Sequence, residues 1–319
     1  MAVEARPAGG RPVHRTGLRR RLGLHTLSAR EALFGYSIVG VVYLFFLIFV
    51  FGPMFLAFGV SLTWWDALSP ISQAEFIGLE NYRYIFFDER FRLSLLHDAE
   101  YTVKAYVGQI GLGLLLALLI NNLRRWQTVA RIITFSPVVL PLVATAILFV
   151  ILMNPTWGLF NVILRALGLP PSTWLQDPTT AMNSVVLMVI WKYVGYYIVL
   201  FLAALQTVPQ EYYDAAHIDG AGPWQTFWHI TWPLIRPAFL FISIINIIAN
   251  AQVFTPIFVM TGGGPARATE VVVVLTYNTA FTNFQYSRAN AMAVVLFFII
   301  LALTLLQLRI MRRGGVESY

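Results

Sequence analysis

The chain has 319 residues, 58% hydrophobic and 12% charged, with a mean hydropathy of +0.69, whereas a soluble domain carries roughly 25% charged residues. It contains no cysteine, which excludes disulfide frameworks, thiolate catalysis and cysteine-ligated metals. The net charge of +7 is arginine flanking apolar runs, a membrane signature and not a nucleic-acid one.

Residues 1–32 are rich in Arg, Gly and Pro and lack apolar periodicity. They read as a basic arm, either lying on anionic lipid or a partner, or serving only to fix topology. The apolar run after them is too long for a signal peptide, so it is expected to be retained as a first span. A spanning helix needs about 20 apolar residues. Six segments meet that length, at residues 33–62, 101–123, 132–153, 183–206, 238–260 and 289–308. The runs are continuous and not alternating, which argues against a β-barrel. The predicted fold class is therefore an all-α polytopic membrane protein. A cytoplasmic N-terminus puts 14 arginines inside and six outside, so both termini are expected in the cytoplasm. The expected division is the arm 1–32, a membrane domain 33–313 and a short cytoplasmic tail 314–319.

Three outer loops follow from this topology. Residues 63–100 carry Ile77-Gly78-Leu79-Glu80-Asn81-Tyr82, with Asp98 and Glu100 near their end. Residues 154–182 carry Asn154-Pro155, Gly158 and Asn161, and residues 261–288 open on Thr261-Gly262-Gly263-Gly264-Pro265. The apolar stretch 271–275 is too short to span and is expected as a short helix shielded by neighbouring protein.

The inner loop at 207–237 is the most structured of the connections. Pro209-Gln210-Glu211 reads as a helix start, and Gly220-Ala221-Gly222-Pro223 as its stop. Pro223 opens a second helix with Trp224, Phe227, Trp228 and Thr231 on one stripe, and Pro233 and Pro237 are expected to redirect the chain into the fifth span. Physics alone allows two readings of this corner: an amphipathic segment on its own membrane surface, or a docking surface for a partner.

The spacing of Asp214, Ala215, Ala216, Asp219, Gly220, Ala221, Phe227, Ile230, Pro233 and Pro237 resembles the EAA loop of permease subunits of ATP-binding-cassette (ABC) importers. Asp214 stands where that family usually has Glu. The outer-loop strings quoted above, together with Thr269-Glu270 and Tyr286-Ser287-Arg288-Ala289-Asn290-Ala291, are similar to the carbohydrate-uptake branch, of maltose or glycerol-phosphate type. Ser287 stands where Gly is common. The likeness runs from about residue 36 to 313.

The resemblance implies a type I importer permease fold in a bacterial or archaeal cell membrane. It implies three partners: a second homologous permease, a cytoplasmic ATPase dimer and an extracytoplasmic solute-binding protein, besides membrane lipid. It also implies that Asp214, Ala215, Ala216, Asp219, Gly220, Ala221, Phe227 and Pro233 couple to that ATPase. The chain has no phosphate-binding GxxxxGK[ST] loop, so ATP and magnesium are expected on the partner and no cofactor, metal or catalytic residue on this chain. The five histidines show no metal spacing.

Polar side chains inside spans are costly and mark functional candidates. Tyr193, Tyr196 and Tyr197 in the fourth span, and Asn246, Asn250 and Gln252 in the fifth, offer neutral donors, acceptors and flat apolar faces to a polyhydroxylated solute. Hydrogen bonding between helices is the other use of such residues. Lys192 either binds an anionic group, snorkels or pairs with a partner. The competing class is an ion-gradient carrier, which wants an intramembrane carboxylate; the expected spans hold none, apart from end ambiguities such as Glu100.

Overall fold

A computed structural model of the chain describes residues 29–65, 69–123 and 125–313. The basic arm as far as residue 28 and the tail 314–319 lie outside the described residues. The chain divides into two compact units at Leu56–Ala57. Ala29–Phe46 (α1) passes through a π turn, Leu47–Phe51, into Gly52–Ser61 (α2), within which that boundary falls. The Gly52 N–H bonds back to the Leu47 carbonyl. The wider turn accommodates Pro53, which has no N–H to give. Every side chain from Phe34 to Phe51 is exposed. A helix apolar on all sides belongs in an apolar surrounding.

After the end of α2, the second unit has a short antiparallel ladder, Thr63–Trp64 (β1) against Glu75–Phe76 (β2). Glu80–Phe87 (α3) precedes the longest helix, Glu89–Asn121 (α4), whose first turn is capped by Asp88 accepting the Arg90 N–H at 2.9 Å. The expected span began at residue 101. The cap starts the helix a full three turns earlier, so Asp98 and Glu100 leave the expected outer loop and join a helix of 33 residues. That is about 50 Å of helix against about 30 Å of hydrocarbon.

The expected third span is not one helix. Gln127–Val139 (α5) and Leu142–Leu152 (α6) meet at a bend of 94°. Pro141 removes the N–H that would continue α5, and Leu140, preceding it, is forced to an extended ψ of 144°. Leu159–Ala166 (α7) lies in the loop beyond, and Pro178–Gln206 (α8) is capped by Asp177, which accepts the Thr179 N–H at 2.8 Å.

Gln210–Ile218 (α9) is the first short helix expected at the inner corner. The second is not separate. Pro223–Thr226 (α10), a π turn at Phe227–Thr231 and Trp232–Asn250 (α11) run on as a single span, Pro223–Asn250. Pro233 and Pro237 therefore do not turn the chain: the π turn just before Pro233 opens the hydrogen-bond ladder where that proline would clash with the His229 carbonyl, and Pro237 sits inside α11, which runs on past it. The fifth span stops at Asn250 and not at residue 260; Thr255–Met260 (α12) is a separate short helix. Val272–Tyr277 (α13), continued by a π turn to Thr282, is the expected short apolar helix, with Val272, Val274 and Leu275 buried. Tyr286–Arg313 (α14) is the last span. Among the described residues five helices are long and apolar enough to cross a membrane, or six if the bent pair α5–α6 counts as one.

The helices of the second unit pack around α4 and α8. Gly113 lets Tyr197 approach so closely that a Cβ there would lie 3.0 Å from the tyrosine's own Cβ, and a Cβ on Gly108 would overlap Ile190. Gly195 likewise admits the Thr134 carbonyl of α5. Small residues at such crossings are how helices gain contact in lipid, where hydrophobic association is unavailable.

Candidate functional site

The inner corner is built by local chemistry. The α9 helix ends at Asp219, and Gly220 takes φ +76°. The Ala221 N–H then reaches the Ala216 carbonyl at 2.9 Å and the Gly220 N–H reaches His217 at 3.2 Å. This doubled closure is a Schellman motif, which needs a left-handed residue after the helix. Pro223 starts the next helix, and the Gln225 side chain accepts the Gly222 N–H at 3.0 Å. Tyr213 shares a hydrogen bond of 3.2 Å with Thr231, tying α9 to the π turn. Ala216 is buried against this frame, and Ala221 and Phe227 are half-buried. Asp214, Ala215, Asp219, Gly220 and Pro233 are exposed, and the apolar Ile218 and Trp224 stand at 87% and 73% exposure. The corner thus presents an exposed apolar knob beside two acids.

Deeper in the same unit lies a cavity of about 560 Å³. It gathers Tyr193, Tyr196 and Tyr197 from α8, Asn250 from α11, Gln252, and two residues the sequence reading passed over, Tyr101 and Gln109 of α4. No charged side chain is among its lining residues. Asn246 does not line it. Its amide donates to Gln109 Oε1 at 2.7 Å, as does that of Asn250 at 3.0 Å, and Gln109 in turn donates to the Val189 carbonyl at 3.2 Å. Asn246 thus serves helix–helix bonding, while Asn250 serves the same cluster and still faces the cavity. The signal for Gln109 was present, since it is an amide within an expected span; its partners lie 80 and 137 residues away in sequence.

Lys192 does not snorkel, and among the described residues it meets no acid. It is 2% exposed, and its Nζ donates to the carbonyls of Pro137 at 3.0 Å, Val138 at 3.3 Å and Leu140 at 2.6 Å. These carbonyls flank the α5–α6 break, where Pro141 leaves the end of α5 short of N–H partners. Asp98 is a second buried ionisable group, 5% exposed, with its Oδ1 unpartnered among the described residues. Asp98 sits in the outer part of α4, three residues before the expected span 101–123, which itself holds no carboxylate.

The outer-loop strings prove to be staples. Asn81 donates to the carbonyls of Ser61 at 2.9 Å and Thr63 at 2.8 Å, and Tyr82 bonds Ser61 at 2.6 Å. Fully buried Asn161 joins Pro155, Ser172 and Trp174 through four hydrogen bonds. Glu270 receives Arg90 in a two-point pair at 2.7 and 2.6 Å, fastening α4 to the loop after the three glycines. Ser287 accepts the Trp65 N–H at 3.0 Å, a use that a glycine cannot supply.

Comparison with known proteins agrees with this architecture. A "Probable ABC transporter permease protein YurN" of Bacillus subtilis is 38% identical over 278 residues, covering 86% of this chain and 94% of its own. The trehalose/maltose transport system permease protein MalF of Thermococcus litoralis is 32% identical, covering 90% and 96%. The sn-glycerol-3-phosphate transport system permease protein UgpA of Agrobacterium fabrum is 33% identical, covering 87% and 94%. In fold, the chain superposes with a TM-score of 0.78 on a chain of a bacterial alginate ABC transporter solved with an alginate pentasaccharide-bound periplasmic protein, at 24% identity and 89% and 95% coverage. Residues 109–313 match the family described as "Binding-protein-dependent transport system inner membrane component". The chain belongs to that family, and it is a multi-pass inner-membrane permease of the ABC importer type.

Proposed function

We propose that this permease imports a neutral, hydroxyl-rich solute of the carbohydrate class, taken from an extracytoplasmic binding protein and released to the cytoplasm by alternating access. The observation that carries the reading is the cavity of about 560 Å³, lined by four tyrosines and three amides and by no charged side chain. Tyrosine faces stack on the apolar faces of a sugar ring, while hydroxyls and amides exchange hydrogen bonds with its hydroxyls. An anionic solute such as a glycerol phosphate would want a free cation. The buried Lys192 beside the cavity already has three carbonyl partners for its three N–H bonds. The relatives named for maltose, trehalose and other sugars support the carbohydrate assignment.

The motor is a separate ATPase dimer that binds ATP and magnesium and docks on the corner at Asp214–Ala221, with both termini of this chain on the same, cytoplasmic, side. A second homologous permease completes the pathway. The chain itself performs no chemistry.

The test is reconstitution of the permease pair, ATPase and binding protein in lipid discs. Binding protein loaded with a neutral mono- or disaccharide is expected to stimulate ATP hydrolysis severalfold, and glycerol 3-phosphate to leave it at the basal rate. Stimulation by the phosphate ester alone would overturn the neutral-solute reading.

A further inference from the structure

Three facts converge at the α5–α6 break. The chain bends by 94° between α5 and α6. Pro141 has no N–H, and the turn strands carbonyls at the end of α5 inside an apolar surrounding. The Lys192 Nζ, from the neighbouring helix α8, donates to the carbonyls of Pro137, Val138 and Leu140, one for each of the three N–H bonds of an ammonium. One turn further along α8, Gly195 sits directly against the Thr134 carbonyl, so the two backbones touch and α5 has no room to drift. The break also forms one wall of the cavity: Val138 precedes it, Leu142 follows it, and Tyr193 stands next to Lys192 in sequence.

We propose that Lys192 is a positioning residue, the pin that holds this span bent and so sets the width of the cavity between Val138, Leu142 and Tyr193. An ammonium is suited to this because it supplies three donors and accepts none, so it satisfies stranded carbonyls without needing a partner of its own. Without it, the Val138 and Leu140 carbonyls are left unpaired, while that of Pro137 keeps only the Leu140 N–H at 3.3 Å, and the segment relieves them by straightening toward a continuous helix. The straightened segment carries Leu142 away from Val138 and reshapes the solute wall. The consequence for transport rests on the permease reading above; the geometry of the pin does not.

The chain has no cysteine, so two introduced spin labels report cleanly. Ile132 and Ile151 are 64% and 46% exposed and lie on either side of the break. At the helical rise per residue, their separation is about 20 Å across a right-angled bend and about 28 Å along a straight helix. Distances are measured by pulsed electron paramagnetic resonance in the complete transporter, its partners made cysteine-free. The parent chain is expected to give the shorter, bent distance. Lys192→Met is expected to shift most of the distribution to the longer, straight one and to lower solute-stimulated ATPase at least tenfold. An unchanged short distance in Lys192→Met overturns the pin. Should Lys192→Met fail to insert, Pro141→Ala is combined with it, returning an N–H to pair with the Pro137 carbonyl. The double variant is expected to insert and to give the straight distance; failure to insert, or retention of the bent distance, overturns the proposal. A parent transporter that shows the bend but no solute stimulation faults the permease reading and leaves the pin standing.

Discussion

Gly220 has φ +76°, and nothing lies within 4 Å of a Cβ built there. A side chain at this position meets no clash, only the backbone cost of a left-handed residue, about 1 kcal/mol. Gly220→Asp is therefore expected to fold and insert at parental levels. It places a new carboxylate on the exposed corner, and the expected result is ATP hydrolysis that no longer drives uptake, with transport down at least tenfold. Normal uptake by this variant would remove the corner from the coupling path. Asn161 poses the opposite case. It is fully buried and makes four hydrogen bonds. Asn161→Ala strands their partners, at roughly 1–3 kcal/mol for each group left unsatisfied, so a clear fall in the thermal midpoint of the detergent-solubilised chain is expected. A midpoint indistinguishable from the parent's would mean that the loop rearranges. Gly220 was legible in the sequence because a helix stop is written in neighbouring residues. The bonds of Asn161 were not, because they join segments across a loop whose path only the fold defines.

At the scale of elements, what the sequence disclosed depended on whether the controlling interaction was local. The apolar runs marked the spans, and Pro209 and Gly220 marked the ends of α9, since each acts on its own turn. The prolines misled in both directions. Pro233 and Pro237 were expected to redirect the chain, yet both lie inside a continuous helix, Pro233 just after a π turn; Pro141 was passed over inside an apolar run, yet it breaks that run by 94°. The difference lies in what surrounds the freed carbonyls. At Pro141 a lysine from α8 compensates them, so the break persists. The early start of α4 was missed because its outer end is polar and is held by Glu270 from 180 residues away. That attachment is testable. Arg90→Ala leaves the Glu270 side chain, only 5% exposed, without its ion-pair partner. Loss of one partner of a buried pair costs about 3–5 kcal/mol, and here about 2 kcal/mol is expected because Arg90 is 31% exposed. The double variant with Glu270→Ala is expected to be more stable than Arg90→Ala alone, since no unpaired charge remains. Additive losses in a thermal double-mutant cycle would show that the pair carries no coupling.

Across the whole molecule, the exposed inner corner and the cavity share their helices. The α8 helix carries Tyr193 and Tyr197 and ends at Gln206, four residues before α9. The span from Pro223 to Asn250 begins at the corner and ends at the cavity. A helix is stiff along its axis, so displacement of the corner by a partner reaches the cavity about 40 Å away without a loop in between. That path is interrupted by the π turn, which Tyr213 braces through Thr231, and by Pro237, which lacks a ladder N–H. This geometry was not readable from the sequence, which divided the corner from the span at Pro233 and Pro237. It yields a specific expectation: softening α11 between its two ends should separate hydrolysis from transport. Leu240 is half-buried and Phe241 is 60% exposed, so replacing both removes little core packing. Leu240→Gly with Phe241→Gly costs about 1 kcal/mol per glycine in helix propensity, within what a long packed span tolerates. The reconstituted double variant is expected to retain ATPase stimulated by loaded binding protein while the solute imported per ATP hydrolysed falls severalfold. A matched pair of alanines should keep the parental ratio. If the glycine variant keeps that ratio too, α11 does not carry the stroke, and the short connection from α9 into α8 must deliver it alone.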